Sequence, residues 1–158
     1  MIKNILFVCT GNTCRSAMAE AMLKAMLEKE SITGLTVRSQ GIAGSHLLEI
    51  PDIVIELMKE KGIDISDHVS SPLTYEAIEE ADLILAMEEF HRQRILEYAP
   101  LAEGKTFLLK KFALQGDNIE DDNMEILDPI AQPDEIYEHC VEEIRMYLEK
   151  IIKKLKTQ

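Results

Sequence analysis

The sequence predicts an α/β fold: one three-layer domain spanning residues 1–158, built on a four-stranded parallel sheet flanked by helices, with a phosphate-binding loop after the first strand. Three observations carry this expectation. Short apolar runs alternate with longer amphipathic stretches, as crossover helices between parallel strands require. A hydrophobic content of 46% over 158 residues suffices for one core and is too small for two ordinary domains. The turn Cys9-Thr10-Gly11-Asn12-Thr13-Cys14-Arg15 joins the first apolar run to the first helical stretch.

Residues 2–8 contain the apolar run Ile5-Leu6-Phe7-Val8 and are expected to form a buried strand. Residues 16–30, rich in Ala, Met, Leu, Lys and Glu, favour a helix. A short strand is expected over 35–39. An amphipathic helix follows over 50–61, with Pro51 in its first turn and Gly62 as its stop. Thr74 is placed to cap a helix over 74–80, ahead of an apolar strand at 83–87 and a charged helix at 88–98. The fourth strand is expected at 105–109. The closing helix, 134–156, aligns Ile136, Cys140, Val141, Ile144, Tyr147, Leu148 and Ile151 on one face. Residues 115–132 are acidic and lack apolar periodicity, which predicts a long surface loop of the kind that often carries function.

Seventeen basic against twenty-nine acidic residues give a net charge of -12, which repels nucleic acid and anionic membranes. The same charge repels a phosphorylated substrate at long range, so a phosphate site must be a local concentration of donors and positive potential. With no secretion-type cleavage pattern after residues 1–9, the expected location is the cytoplasm. Three cysteines, an odd set, argue against a disulfide framework, and neither they nor the four histidines have metal-ligand spacing. No metal or cofactor is expected, and a monomer is the expected state.

The segment from Cys9 to Ser16 lies where a strand feeds a helix N-terminus, and there backbone N–H groups and the helix dipole favour an anion. Gly11 allows the backbone to curl around a ligand, Asn12 tolerates a left-handed conformation, and Arg15 offers a planar fork to two phosphate oxygens. A thiol at the mouth of such a loop is favoured as the thiolate and can attack phosphorus. The competing reading of Cys9, an inert small hydrophobe ending a buried strand, is outweighed by Gly11, Asn12 and Arg15 at these offsets.

Cys9-x5-Arg15-Ser16 followed by Met18-Ala19-Glu20-Ala21 resembles the signature of low-molecular-weight protein-tyrosine phosphatases. The resemblance runs on through Arg38-Ser39-x-Gly41, Asp67-His68-x-Ser70-Ser71-Pro72-Leu73, Ala81 to Met87, Asp128-Pro129 and Tyr137. It implies a phosphoprotein phosphatase working through a thiophosphate intermediate, with Cys9 as nucleophile, Arg15 as clamp and Asp128 as general acid and then base. Thr10, Gly11, Asn12, Thr13, Cys14 and Ser16 would form the phosphate loop. Asn12, Ser16, Ser39 and His68 would form a supporting network in which Ser16 assists the departing thiolate. Cys14, five residues after Cys9, could capture an oxidised Cys9 as a disulfide, or could simply pack beneath the loop. Cys140 is assigned to core packing.

Tyrosine-specific members resembling this chain often carry Ile or Leu where it has Thr13, and an aromatic ring where it has Ile130; the bacterial protein-arginine phosphatases resemble it in having Thr. Ala17, Gln40 and Ala131-Gln132 depart from residues usual in the family, and Ile42 to Leu48 lacks the bulky aromatic often found there. Phosphoarginine in proteins is therefore the expected substrate and phosphotyrosine the alternative. An arsenate reductase of the same fold would need further cysteines, and a non-catalytic phosphate-binding module would not need Cys9 and Asp128 together.

Overall fold

The computed structural model describes residues 1–158. Strand β1 is Asn4–Cys9, helix α1 Arg15–Lys29, β2 Thr36–Gly41, α2 Asp52–Glu60, α3 Tyr75–Glu80, β3 Leu83–Ala86, α4 Glu89–Tyr98, β4 Thr106–Leu108, α5 Leu109–Ala113 and α6 Asp134–Leu155. The four strands form one all-parallel sheet in the order β2-β1-β3-β4. No helix is long and apolar enough to cross a membrane.

The apolar run of β1 is continuous because both faces of the sheet are covered. Ile5, Phe7 and Cys9 point into a large cluster with α1, α2, α5 and α6, while Leu6 and Val8 point into a smaller one with α3 and α4. The three layers are thus helix, sheet, helix. The closing helix behaves as its periodicity predicts: Cys140, Val141, Ile144, Tyr147, Leu148 and Ile151 are buried, and Ile136 alone of the predicted face is exposed. Thr74 caps α3 by accepting a hydrogen bond from Ala77 N at 3.2 Å.

Three expectations need correction. The fourth strand is only Thr106–Leu108: residues 100–105 form a 3-10 helix, and Leu109 opens the short helix α5, which buries Leu109 and Ala113. A six-residue 3-10 turn and a five-residue helix are too short to leave a readable period. The stretch 115–132 is irregular but is not simply a surface loop. Ile126 is buried, its N–H donates to Met87 O at 2.9 Å, and Asp117 and Asp121 tether the segment to Lys150 and Lys110. The second strand extends past Ser39 to Gly41.

Gly41 is required by close approach. A Cβ there would lie 2.9 Å from Asn12 N and nearer still to Thr10 O, both backbone atoms of the loop after β1. The end of β2 is therefore the bed on which that loop rests.

Candidate active site

The chain leaves β1 for β2 on one side and, through α2 and α3, returns to β3 on the other. The carboxyl ends of β1 and β3 therefore border the crevice where open parallel sheets bind ligands. Cys9 is the last residue of β1, and the loop 10–14 leads directly into α1.

Asn12 organises this loop. It is the loop residue in the left-handed region, with φ of 55°, and it is fully buried. Its Nδ2 donates to Ser16 Oγ at 2.8 Å and Ser39 Oγ at 2.9 Å, and its Oδ1 accepts from Ser71 N at 3.0 Å. The backbone carbonyl of Asn12 meets His68 Nε2 at 2.9 Å. Ser39 in turn donates to Glu20. Because Ser16 Oγ already accepts from Asn12, its hydrogen is free to point at Cys9 Sγ, 2.9 Å away, and Asn12 N donates to the same sulfur at 3.3 Å. Donors converging on a sulfur beside a helix N-terminus are the surroundings an anionic sulfur needs.

Gly11 serves differently from the expectation. The strained φ falls on Asn12, and a Cβ on Gly11 would make ordinary contacts, 3.5 Å from Thr13 Oγ1 and 3.7 Å from Leu48 Cδ1. The loop curls through Asn12, and Gly11 only keeps its wall thin.

Arg15 is buried, and its guanidinium is held from behind. Its NH1 donates to Glu88 Oε2 at 2.6 Å and to Ile126 O at 2.7 Å, and its NH2 lies 3.4 Å from Asp128 Oδ2. The buried anchor on Ile126 explains why the acidic segment returns to the sheet there. Asp128 is part-exposed, with Oδ1 accepting from Ile130 N at 3.1 Å and Oδ2 turned toward Arg15. Ala131 takes a left-handed φ of 59°, and the Asp128-Pro129 turn is closed by Gln132 N donating to Pro129 O at 3.0 Å. Burial raises the Tyr137 phenol above its usual range, with Cys14 and Asp128 adding to the effect.

These groups enclose a cleft of about 210 Å³. Cys9, Thr10, Gly11, Thr13, Cys14 and Arg15 line its base, and Asp128, Ile130 and Tyr137 one wall. Leu48, Glu49 and Pro51 form the other. All three cysteines are free. Cys140 beside it and burial together push the Cys14 thiol far above the ordinary thiol range. Cys140 packs in the core as its helical spacing predicts, in the same apolar cluster as Cys14.

A family model described as low molecular weight phosphotyrosine protein phosphatase matches residues 4–158. The chain belongs to that family. Members resembling it closely include the protein-arginine-phosphatase of Bacillus subtilis, 39% identical over 97% of both chains. The low molecular weight protein-tyrosine-phosphatase Ptp of Acinetobacter johnsonii is 41% identical over 75% of this chain and 79% of its own. Among solved structures, an arginine phosphatase in which a cysteine is replaced by a phosphorylated active site serine superposes with a TM-score of 0.86 at 38% identity, covering 97% of this chain and 95% of that one. As a member of this phosphatase family, the chain is a hydrolase.

Of the candidate site residues, Cys9, Thr10, Gly11, Thr13, Cys14, Arg15 and Asp128 line the cleft. Asn12, Ser16, Ser39 and His68 form the network behind it. Sequence reasoning missed Glu88, the counter-ion of Arg15; Glu20, which accepts from Ser39; Ser70, whose hydroxyl donates to Gly11 O at 2.6 Å; and His91, which meets Thr10. The one available signal for Glu88 was its place just past the end of β3, level with Thr10 at the start of the loop.

Proposed function

We propose that this phosphatase removes the phosphoryl group from phosphoarginine in proteins, through a phosphocysteine on Cys9. In this reading Cys9 Sγ attacks phosphorus, Arg15 and the loop N–H groups hold the phosphoryl oxygens, and Asp128 protonates the departing guanidine nitrogen. Asp128 then takes a proton from the water that hydrolyses the S–P bond, and Ser16 supports the returning thiolate. One carboxyl serves both steps because the leaving group vacates the place the water takes. The phosphorylated serine that stands for a cysteine in the related arginine phosphatase supports a phosphoryl group carried at this position.

The observation that carries the substrate choice is the presence of Thr13 and Asp128 in one cleft with the aliphatic side chains of Leu48 and Ile130 and a single aromatic, Tyr137. A carboxylate can bind a guanidinium through two parallel hydrogen bonds, and a short hydroxyl-bearing wall leaves room for its planar head. Aromatic stacking for a phosphotyrosine ring is limited to Tyr137. That tyrosine, and the 41% identity to a tyrosine phosphatase, favour phosphotyrosine as the second reading.

Thr13→Ile should decide between them. We expect kcat/KM for phosphoarginine to fall and that for phosphotyrosine to rise, each by ~10-fold, so that the order of preference reverses. A wild-type chain that turns over phosphotyrosine faster than phosphoarginine would make the second reading its function.

Three free thiols fit a reducing compartment such as the cytoplasm. We also infer redox control: peroxide converts Cys9 to the sulfenic acid, and Cys14 displaces water to form a disulfide before irreversible oxidation. Mild peroxide should inactivate reversibly, with a Cys9 to Cys14 linkage in the peptide mass map. Irreversible loss without that linkage would refute the redox reading.

A further inference from the structure

His91 lies in the first turn of α4, fully buried and outside the cleft. Its two ring nitrogens have different partners. Nδ1 is 3.0 Å from Glu88 N, and a backbone N–H can only donate, so Nδ1 is the bare nitrogen and Nε2 carries the hydrogen. That Nε2–H faces Thr10 Oγ1 at 2.8 Å. With its oxygen accepting from the ring, the Thr10 hydroxyl must send its own hydrogen elsewhere, and Thr10 lines the cleft beside Cys9. Glu88, whose N–H is held by the ring, is also the residue whose carboxylate grips Arg15 NH1 at 2.6 Å. One imidazole therefore joins the first residue after the cysteine to the segment that anchors the arginine. Phe90 packs against the ring at 4.1 Å between centroids and helps fix its plane. Burial, reinforced by the Arg15 guanidinium, holds the His91 pKa down at about 3, so the tautomer persists at working pH.

We propose that His91 is a positioning residue for phosphoryl transfer: as a neutral Nε2–H imidazole between Thr10 and Glu88, it aims the Thr10 hydroxyl at the bound phosphoryl oxygens and holds the phosphate loop in register with the Arg15 clamp. The inference rests on the chain's phosphatase activity and is independent of which phosphorylated residue is its substrate.

The test uses the full chain, with p-nitrophenyl phosphate for turnover and calorimetric titration of inorganic phosphate for binding. Thr10→Val removes the hydroxyl at constant shape. His91→Asn keeps an acceptor near the Nδ1 position and loses the reach to Thr10, whereas His91→Gln keeps a donor near the Nε2 position. Thr10→Val and His91→Asn should each weaken phosphate binding and lower kcat/KM by about five- to tenfold, the scale of one lost hydrogen bond in a polar site. The double variant should be no worse than the poorer single, because both remove the same link. His91→Gln should bind phosphate within about twofold of wild type. Additive losses in the double variant, or unchanged phosphate affinity in His91→Asn with only a lower Tm, would overturn the proposal and leave His91 a packing residue. A wild-type chain that binds phosphate but does not turn over the ester would count against the phosphatase reading, while the binding series would still decide the role of His91.

Discussion

Cys9→Ser is expected to lose ~10⁴-fold or more in kcat while keeping most of its affinity for inorganic phosphate. The two halves of this expectation have separate origins. Affinity is expected from the loop N–H groups, the N-terminus of α1 and Arg15, none of which depends on sulfur. Asn12 is held by Ser16, Ser39 and Ser71, and Arg15 by Glu88 and Ile126, so the smaller side chain leaves the cradle standing. Turnover depends on an anionic nucleophile at this position. A serine hydroxyl there meets the same donors but stays protonated at neutral pH, and no histidine is within bonding distance of it to act as a base: His68 bonds to Asn12 O and His91 to Thr10. Any residual reaction should leave one phosphoryl group on the substituted hydroxyl, visible by mass. Full turnover by this variant would remove Cys9 from the chemistry.

Asp128→Asn should lower kcat by ~10²- to 10⁴-fold, the usual range for losing a general acid and base, with a smaller change in phosphate affinity. The asparagine can still accept from Ile130 N through its oxygen, so the turn before Pro129 is kept. What it loses is the removable proton and the attraction to Arg15 NH2 across 3.4 Å. The deficit should depend on the leaving group. With p-nitrophenolate, which departs without a proton, the phosphoenzyme forms readily and its hydrolysis limits turnover, giving a burst of one equivalent. With phosphoarginine both steps are slowed and no burst appears. Since Asp128 is part-exposed, thermal stability should change little. Unimpaired hydrolysis of both substrates would shift the proton role to another group, with Glu49 the other carboxylate on the cleft wall.

The parts of the fold that could be read in the sequence are those with local causes. The apolar run of β1, the Ala- and Met-rich α1, the Thr74 cap and the stripe along α6 each show in a short window of residues. The phosphate loop was legible for the same reason, its cysteine, asparagine and arginine lying within seven residues. Asp128 was placed by resemblance alone, because its approach to Arg15 spans most of the chain. The clamp on Arg15 was not legible. Glu88 and Ile126 lie 73 and 111 residues away, and apart from its place just past β3 nothing distinguishes this glutamate from the others in an acidic chain. His91 was hidden for a related reason: its two partners are a backbone N–H and a threonine hydroxyl, neither of which has a sequence signature.

Asn12 reaches residues from three separated stretches of chain: Ser16 on the helix that follows the loop, Ser39 near the end of β2, and Ser71 with His68 in the segment beyond α2. A buried amide with both hydrogens and its oxygen bonded does not tolerate a partly assembled form, since each missing partner leaves a polar group stranded away from water. The cradle therefore comes into being only when β2 and the 68–71 segment have docked onto β1, and it is lost as soon as either detaches. Phosphate affinity should therefore report global folding: a form lacking that edge of the sheet is expected to bind no anion, and bound phosphate is expected to raise the stability of the whole chain rather than of the loop alone.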